Sequence, residues 1–310
     1  MQTRRSVLIG LSAAIPALSG ARAAEQTGMV KAPGGRVWWM RAGSGSKTPI
    51  LTLHGGPGAA HNYLLPLRAL ADERTVIFYD QLGCGKADSP ADEKLYTIQR
   101  SVDEVDALRQ ALGLKEIILY GHSWGSMLAI EYMCQGRGIG VKQLIVGGAL
   151  ASVPQAMAGQ QRLISQMPDG KGKRMHALEK AGRTQGKEYQ ALVQLFYDLH
   201  VCRAKPLPVD AAKSLEICDK SIAYRVMNGP NEFTITGVIK DWDRRKNLGL
   251  INAPTYITTG QFDEVTLDCH QTIQQGIKGA RLEIFPGCSH MTMSEQPDIY
   301  VAALRQNMLA

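Results

Sequence analysis

Past its first two dozen residues, this 310-residue chain has no run long and apolar enough to cross a membrane as a helix. It also lacks internal repeats and any low-complexity tail, so a solenoid or a long disordered linker is not expected. Its six cysteines, Cys84, Cys134, Cys202, Cys218, Cys269 and Cys288, follow neither the close spacing of a disulfide scaffold nor a metal-ligand pattern. Cys202 and Cys218 are the one pair to consider for a disulfide, and Cys84 and Cys288 fall in loops near the expected catalytic face. Basic and aromatic residues are not interleaved, so nucleic acid is not an expected partner. The formal charge is +7, and three of those charges, Arg4, Arg5 and Arg22, sit in the first 23 residues.

That leading segment reads as an address. Arg4 and Arg5 precede the apolar stretch Val7-Leu8-Ile9, and Ala21-Arg22-Ala23 ends it with a small-x-small cleavage pattern. The expectation is a twin-arginine signal peptide over 1–23, removed at or near Ala23. The mature protein would then be periplasmic or secreted, carry a mild charge of +4 and keep no stable membrane association.

Behind the signal, apolar strand-like runs alternate with helical ones, with strands expected at 37–41, 50–53, 75–79, 116–120 and 143–147. Such alternation predicts an α/β fold with a mostly parallel sheet covered by helices. From 149 to 245 the pattern becomes helical, charged and methionine-containing, and the sheet pattern resumes near Leu250. The economical division is a core over 24–148 and 246–310, with an inserted helical cap over 149–245.

The chemistry is most legible at Gly121-His122-Ser123-Trp124-Gly125, which follows the apolar run Ile117-Ile118-Leu119-Tyr120 and precedes an apolar helix. Gly-x-Ser-x-Gly between strand and helix is the nucleophile elbow, a strained turn that lifts the serine hydroxyl clear of the sheet. A hydroxyl needs a base to take its proton and an acid to orient that base. In this fold they follow the serine in the order acid, then histidine. Asp263 comes just after the run Thr255-Tyr256-Ile257-Thr258-Thr259-Gly260, and His290 comes shortly after Leu282-Glu283-Ile284-Phe285. The assignment is Ser123 as nucleophile, His290 as general base and then acid, and Asp263 as orienter. Taken singly, Asp263 could be a helix cap and His290 a surface histidine, but all three in order is the stronger reading. Upstream, His54-Gly55-Gly56-Pro57-Gly58 can bring the Gly56 N–H opposite that of Trp124 as an oxyanion hole. His54 itself is read as supporting the loop.

His54-Gly55-Gly56-Pro57-Gly58, Asp80-Gln81-Leu82-Gly83-Cys84-Gly85, the elbow, and Asn228-Gly229-Pro230-Asn231-Glu232-Phe233 together resemble the proline iminopeptidase family of α/β-hydrolases, from about Met29 to the C-terminus. Leu82 stands where that family usually has arginine, and His122 where it usually has glycine. Both departures resemble its branch of broader aminopeptidases and amino-acid amidases. The resemblance implies a serine hydrolase, without metal or other cofactor, that releases an N-terminal residue, proline among them, from short peptides, amides or arylamides. It also implies that Glu232 and Glu264 hold the substrate's α-ammonium; read without it, both are better taken as solvated surface acids. The competing readings are a carboxylesterase or lactonase, which would need the triad but not the glutamates, and a non-catalytic binding protein on the same fold.

Overall fold

The computed structural model describes residues 25–309, so the segment read as a signal peptide lies outside the described residues. The described strands form one seven-stranded sheet. They are β1 (Gln26–Ala32), β2 (Gly35–Leu53), β3 (Arg74–Asp80), β4 (Ile117–His122), β5 (Val141–Gly147), β6 (Thr255–Gly260) and β7 (Arg281–Phe285). The second limb of β2 pairs parallel with β4, and β4–β5, β5–β6 and β6–β7 continue in parallel. At the other edge β1 and the first limb of β2 pair antiparallel, as does that limb with β3.

Two expectations are revised here. The runs at 37–41 and 50–53 are limbs of one 19-residue strand, bent where its pairing with β3 slips between Ala42 and Ile50. Strand β1 was not anticipated, because Gln26-Thr27-Gly28-Met29-Val30-Lys31-Ala32 is a half-exposed edge whose sequence carries no apolar run.

The apolar runs in the central strands have a direct physical reading. Successive strand residues face opposite sides of a sheet, so a strand covered on both faces must be apolar at every position. Ile117 and Leu119 pack into one core cluster, while Ile118 and Tyr120, the intervening residues, pack into the other. Leu144 and Val146 against Ile145, and Ile257 against Tyr256, repeat the division in β5 and β6. Helices α1 (Ile98–Ala111) and α2 (Trp124–Cys134) cover the first face. A 3-10 helix over His61–Asp72 covers the second.

Between β5 and β6 lie five helices: α3 (Val153–Ser165), α4 (Lys171–Lys180), α5 (Lys187–His200), α6 (Val209–Lys220) and α7 (Ile222–Met227). Helices α3 to α5 build their own cluster from Ile164, Met175, Leu178, Leu192 and Phe196, closed by Phe233. Helices α6 and α7 send Ala211, Cys218, Ala223 and Met227 into the two sheet cores, which the start of α3 also joins through Val153 and Ala156. The chain finishes with α8 (Leu267–Gly276), α9 (Thr292–Glu295) and α10 (Pro297–Asn307).

Candidate active site

The residues singled out in the sequence meet at one edge of the sheet, where the parallel strands end. Ser123 links β4 to α2 with φ 55° and ψ −124°, a conformation that side chains seldom adopt. The flanking glycines explain how so tight a turn closes. A Cβ on Gly121 would lie 2.2 Å from the Gly125 carbonyl oxygen, and one on Gly125 would lie 2.0 Å from that of Leu53. Only bare backbone lets α2 start this close to β2 and β4.

Asp263 follows β6 and His290 follows β7, both nearly fully buried. The Nδ1–H of His290 donates to Asp263 Oδ1 at 2.7 Å. The same carboxylate accepts from the Val265 N–H at 2.8 Å and the Thr259 hydroxyl at 3.1 Å. Burial alone would raise the Asp263 pKa, but the charge and hydrogen bond of His290 hold it below the ordinary range. For His290 burial works downward and is outweighed by Asp263, with help from Glu264 and Glu232, which lifts it to about 9.

Trp124 is the first residue of α2, a position whose N–H has no intrahelical acceptor and lies directly after the serine. Gly56 lines the same cavity as Ser123. Its neighbour Gly55 has its N–H committed to the Tyr63 hydroxyl at 2.7 Å, which leaves Gly56 as the loop amide available to a ligand.

Glu232 and Glu264 both line this cavity of about 420 Å³, together with Ser123 and His290. Glu264 Oε1 stands 3.6 Å from His290 Nε2, and its other oxygen accepts from Gln160 at 3.5 Å. Glu232 Oε1 accepts from the Tyr224 hydroxyl at 2.8 Å. Burial raises the pKa of each, that of Glu264 well above the ordinary value, because Glu232 and Asp263 add like charge beside it. Phe233, the next residue, is buried in the α3–α5 cluster with its ring 5.0 Å from that of Phe196. The Asn-Glu-Phe segment thus anchors by its phenylalanine and presents its glutamate to the cavity.

Four supporting residues were not found from sequence. The Tyr63 hydroxyl, having accepted from Gly55, donates to His122 Nδ1 at 3.0 Å, and His122 Nε2–H then donates to the His290 carbonyl at 2.9 Å. Burial and the neighbouring His290 push His122 down to about 3, so it stays neutral and keeps this tautomer. Gln81 accepts from the Trp124 indole at 2.8 Å and donates to the His54 carbonyl at 2.9 Å, tying the elbow to the glycine loop. Gly148 passes so near His290 that a Cβ there would lie 2.5 Å from its Cε1. Tyr63 and Gly148 carry no motif signal. Gln81 and His122 stand inside motifs but had no assigned partner.

The pair considered for a disulfide is corrected: Cys202 and Cys218 are both free and buried, each in the cavity wall among apolar neighbours. His54 supports the loop as expected. Its Nε2 accepts from the Gln81 N–H at 3.1 Å and burial lowers its pKa to about 4. Leu82, one of the two departures from the resembled family, is 1% exposed in the sheet core and does not line the cavity.

Residues 48–297 match the family model of the alpha/beta hydrolase fold. A proline iminopeptidase of Saccharolobus solfataricus is 42% identical over 264 residues, covering 84% of this chain and 85% of that protein. One from Thermoplasma volcanium is also 42% identical, over 84% and 88%. Among solved structures, a proline iminopeptidase of Mycobacterium smegmatis superposes with a TM-score of 0.86 at 33% identity, over 91% of this chain and 97% of that one.

Proposed function

The chain belongs to the proline iminopeptidase family of α/β-hydrolases, and on that premise we propose that it is a serine aminopeptidase that releases the N-terminal residue, proline among those accepted, from short peptides, amides or arylamides. The observation that carries the reading is the buried His290–Asp263 pair at 2.7 Å, sharing one cavity with Ser123 and two carboxylates.

Ser123 attacks the carbonyl of the first residue while His290 Nε2 takes its proton, and Asp263 keeps the imidazole oriented and balances its charge. The oxyanion lies between the N–H groups of Gly56 and Trp124, a contribution worth about 10²–10³ in rate per donor. His290 returns the proton to the departing amine, then activates the water that frees the acyl group. Glu232 and Glu264 hold the α-ammonium, which makes the enzyme count from the first residue. Charge-assisted hydrogen bonds of this kind are strong where water is scarce.

A panel of aminoacyl arylamides, with N-acetylated counterparts and matched neutral esters, tests the activity. Free-amine substrates are expected to be cleaved and acetylated ones spared. Efficient cleavage of acetylated substrates would favour a carboxylesterase instead. Fluorophosphonate is expected to label wild type and not Ser123→Ala, and no labelling of wild type would favour a non-catalytic protein. We further propose export by the twin-arginine route, supported by Arg4, Arg5 and the Ala21-Arg22-Ala23 pattern.

A further inference from the structure

The base and the nucleophile of this site are not bonded to each other. Among the described residues, Ser123 Oγ makes no hydrogen bond, and Glu264 Oε1 stands 3.6 Å from His290 Nε2. Glu264 is 2% exposed, held by the weak Gln160 contact and by its own N–H, which donates to the His200 carbonyl at 3.2 Å. It therefore stands between two claimants, the imidazole on one side and the cavity shared with Glu232 on the other.

We infer that Glu264 does more than bind the ammonium: in the empty site it engages His290 Nε2, and an arriving α-ammonium draws the carboxylate away and frees that nitrogen to serve Ser123. This rests on the aminopeptidase reading and adds to it a selection for free amino termini at the chemical step as well as in binding. The proton count closes. In the empty site His290 carries a proton, and its charge faces Glu264 across 3.6 Å. When the ammonium, carrying its own charge, pairs with ionised Glu264, that proton leaves to water and His290 is left neutral, as a base must be.

The surroundings of His290 fit this exchange. The charged groups that face it are Asp263 and Glu264 from the loop after β6, and Glu232 from the segment after α7. His122 at the end of β4 and His270 on α8 are also near, and burial lowers both, which keeps them uncharged. Helix α5 meets it with a backbone carbonyl, that of His200, 3.1 Å from the His290 N–H. Removing one carboxylate from this set lowers the proton affinity of His290, and adding an ammonium does the same.

The test compares wild type, Glu264→Gln and Glu232→Gln on an aminoacyl arylamide and on a shape-matched ester that lacks the amine, each across pH. Glu264→Gln is expected to lose about ten- to a hundredfold in kcat/KM on the arylamide. On the neutral ester it should gain, severalfold near pH 7, with the acid limb of its profile moved to lower pH. Glu232→Gln, farther from the imidazole, should lose on the arylamide with a smaller movement of the ester limb. An ester rate and acid limb unchanged or worsened in Glu264→Gln would overturn the inference while leaving the aminopeptidase reading intact. Wild type that cleaves the ester but no arylamide would instead overturn the reading itself. Should Glu264→Gln fail to fold, unaltered enzyme decides the matter through the downfield resonance of the His290 Nδ1 proton. Its titration midpoint is expected to fall when the site is saturated with an amino alcohol, and an unmoved midpoint would overturn the inference.

Discussion

One methyl group would be enough to displace His290. Gly148, at φ +52°, passes beneath the imidazole, where a Cβ would sit 2.5 Å from Cε1 and 2.7 Å from Nδ1. Gly148→Ala should cost about 1–2 kcal/mol from its left-handed backbone, but its larger effect is on geometry. A displacement approaching 1 Å at a catalytic base lowers the rate by about a hundredfold, so kcat should collapse while the melting temperature moves little. A variant with near-wild-type kcat would mean the ring has room to move. Tyr63 acts at the other end of the same network. Tyr63→Phe leaves the Gly55 N–H and His122 Nδ1 both buried without their partner, at about 1–3 kcal/mol each. Because Gly55 adjoins Gly56, whose amide is proposed for the oxyanion hole, affinity for an aminoacyl aldehyde should drop more than affinity for the matching amino alcohol. Equal drops would mark Tyr63 as a packing residue only. His290, raised to about 9, must lose its proton to act as base. kcat/KM on a neutral ester should therefore climb with pH through about 9, well above the ~6.5 of a free imidazole. A midpoint near 6.5 would mean the surrounding carboxylates do not bear on the ring.

Among the elements, the helical layer between β5 and β6 divides its work. The later part of α3 shares a core of its own with α4 and α5, while α6, α7 and the start of α3 are fastened to the sheet. Ser221 shows how firmly: its hydroxyl caps α7 by accepting from the Ala223 N–H at 3.1 Å and donates to the Gly83 carbonyl at 2.9 Å. The segment that carries Glu232 spans the two parts, with Tyr224 of α7 on its carboxylate and Phe233 in the α3–α5 cluster. Phe233→Ala should remove about 3–5 kcal/mol of packing from that cluster. Chemistry and anchoring should then separate. Fluorophosphonate should still label Ser123, while kcat/KM on aminoacyl arylamides falls because Glu232 is no longer held. Parallel loss of both would mean that the layer and the sheet fold as one unit.

At the scale of the molecule, the site exists because every parallel strand delivers its loop to the same edge. The glycine loop, Ser123, Asp263 and His290 come from the ends of β2, β4, β6 and β7, and only the pairing β2-β4-β5-β6-β7 brings them together. The proposed export signal of the first 23 residues belongs to this scale as well. On the proposed twin-arginine route a receptor reads the arginine pair itself, so Arg4→Lys with Arg5→Lys should keep the protein in the cytoplasm, measured by fractionation with an arylamide assay. Unchanged export would leave a general secretory signal in place of the twin-arginine one.

Sequence alone determined what local pattern can carry. The elbow was legible because its two glycines answer to backbone contacts at 2.2 and 2.0 Å, and no other residue type fits there. The central strands were legible because burial on both faces demands unbroken apolar runs. Asp263 and His290 could be named by their order along the chain, and Glu232 and Glu264 by resemblance. Only the tertiary structure decided what depends on approach between distant segments. It fused two expected strands into β2, left Cys202 and Cys218 unpaired, and buried Leu82 in the core. It also put Tyr63, Gln81, His122 and Gly148 around the reacting groups, and set Glu264 against His290 rather than merely beside Asp263. A tyrosine 60 residues before the serine, or a glycine 25 after it, gives no signal in its own neighbourhood, because what fixes it there is a contact formed only when the sheet assembles.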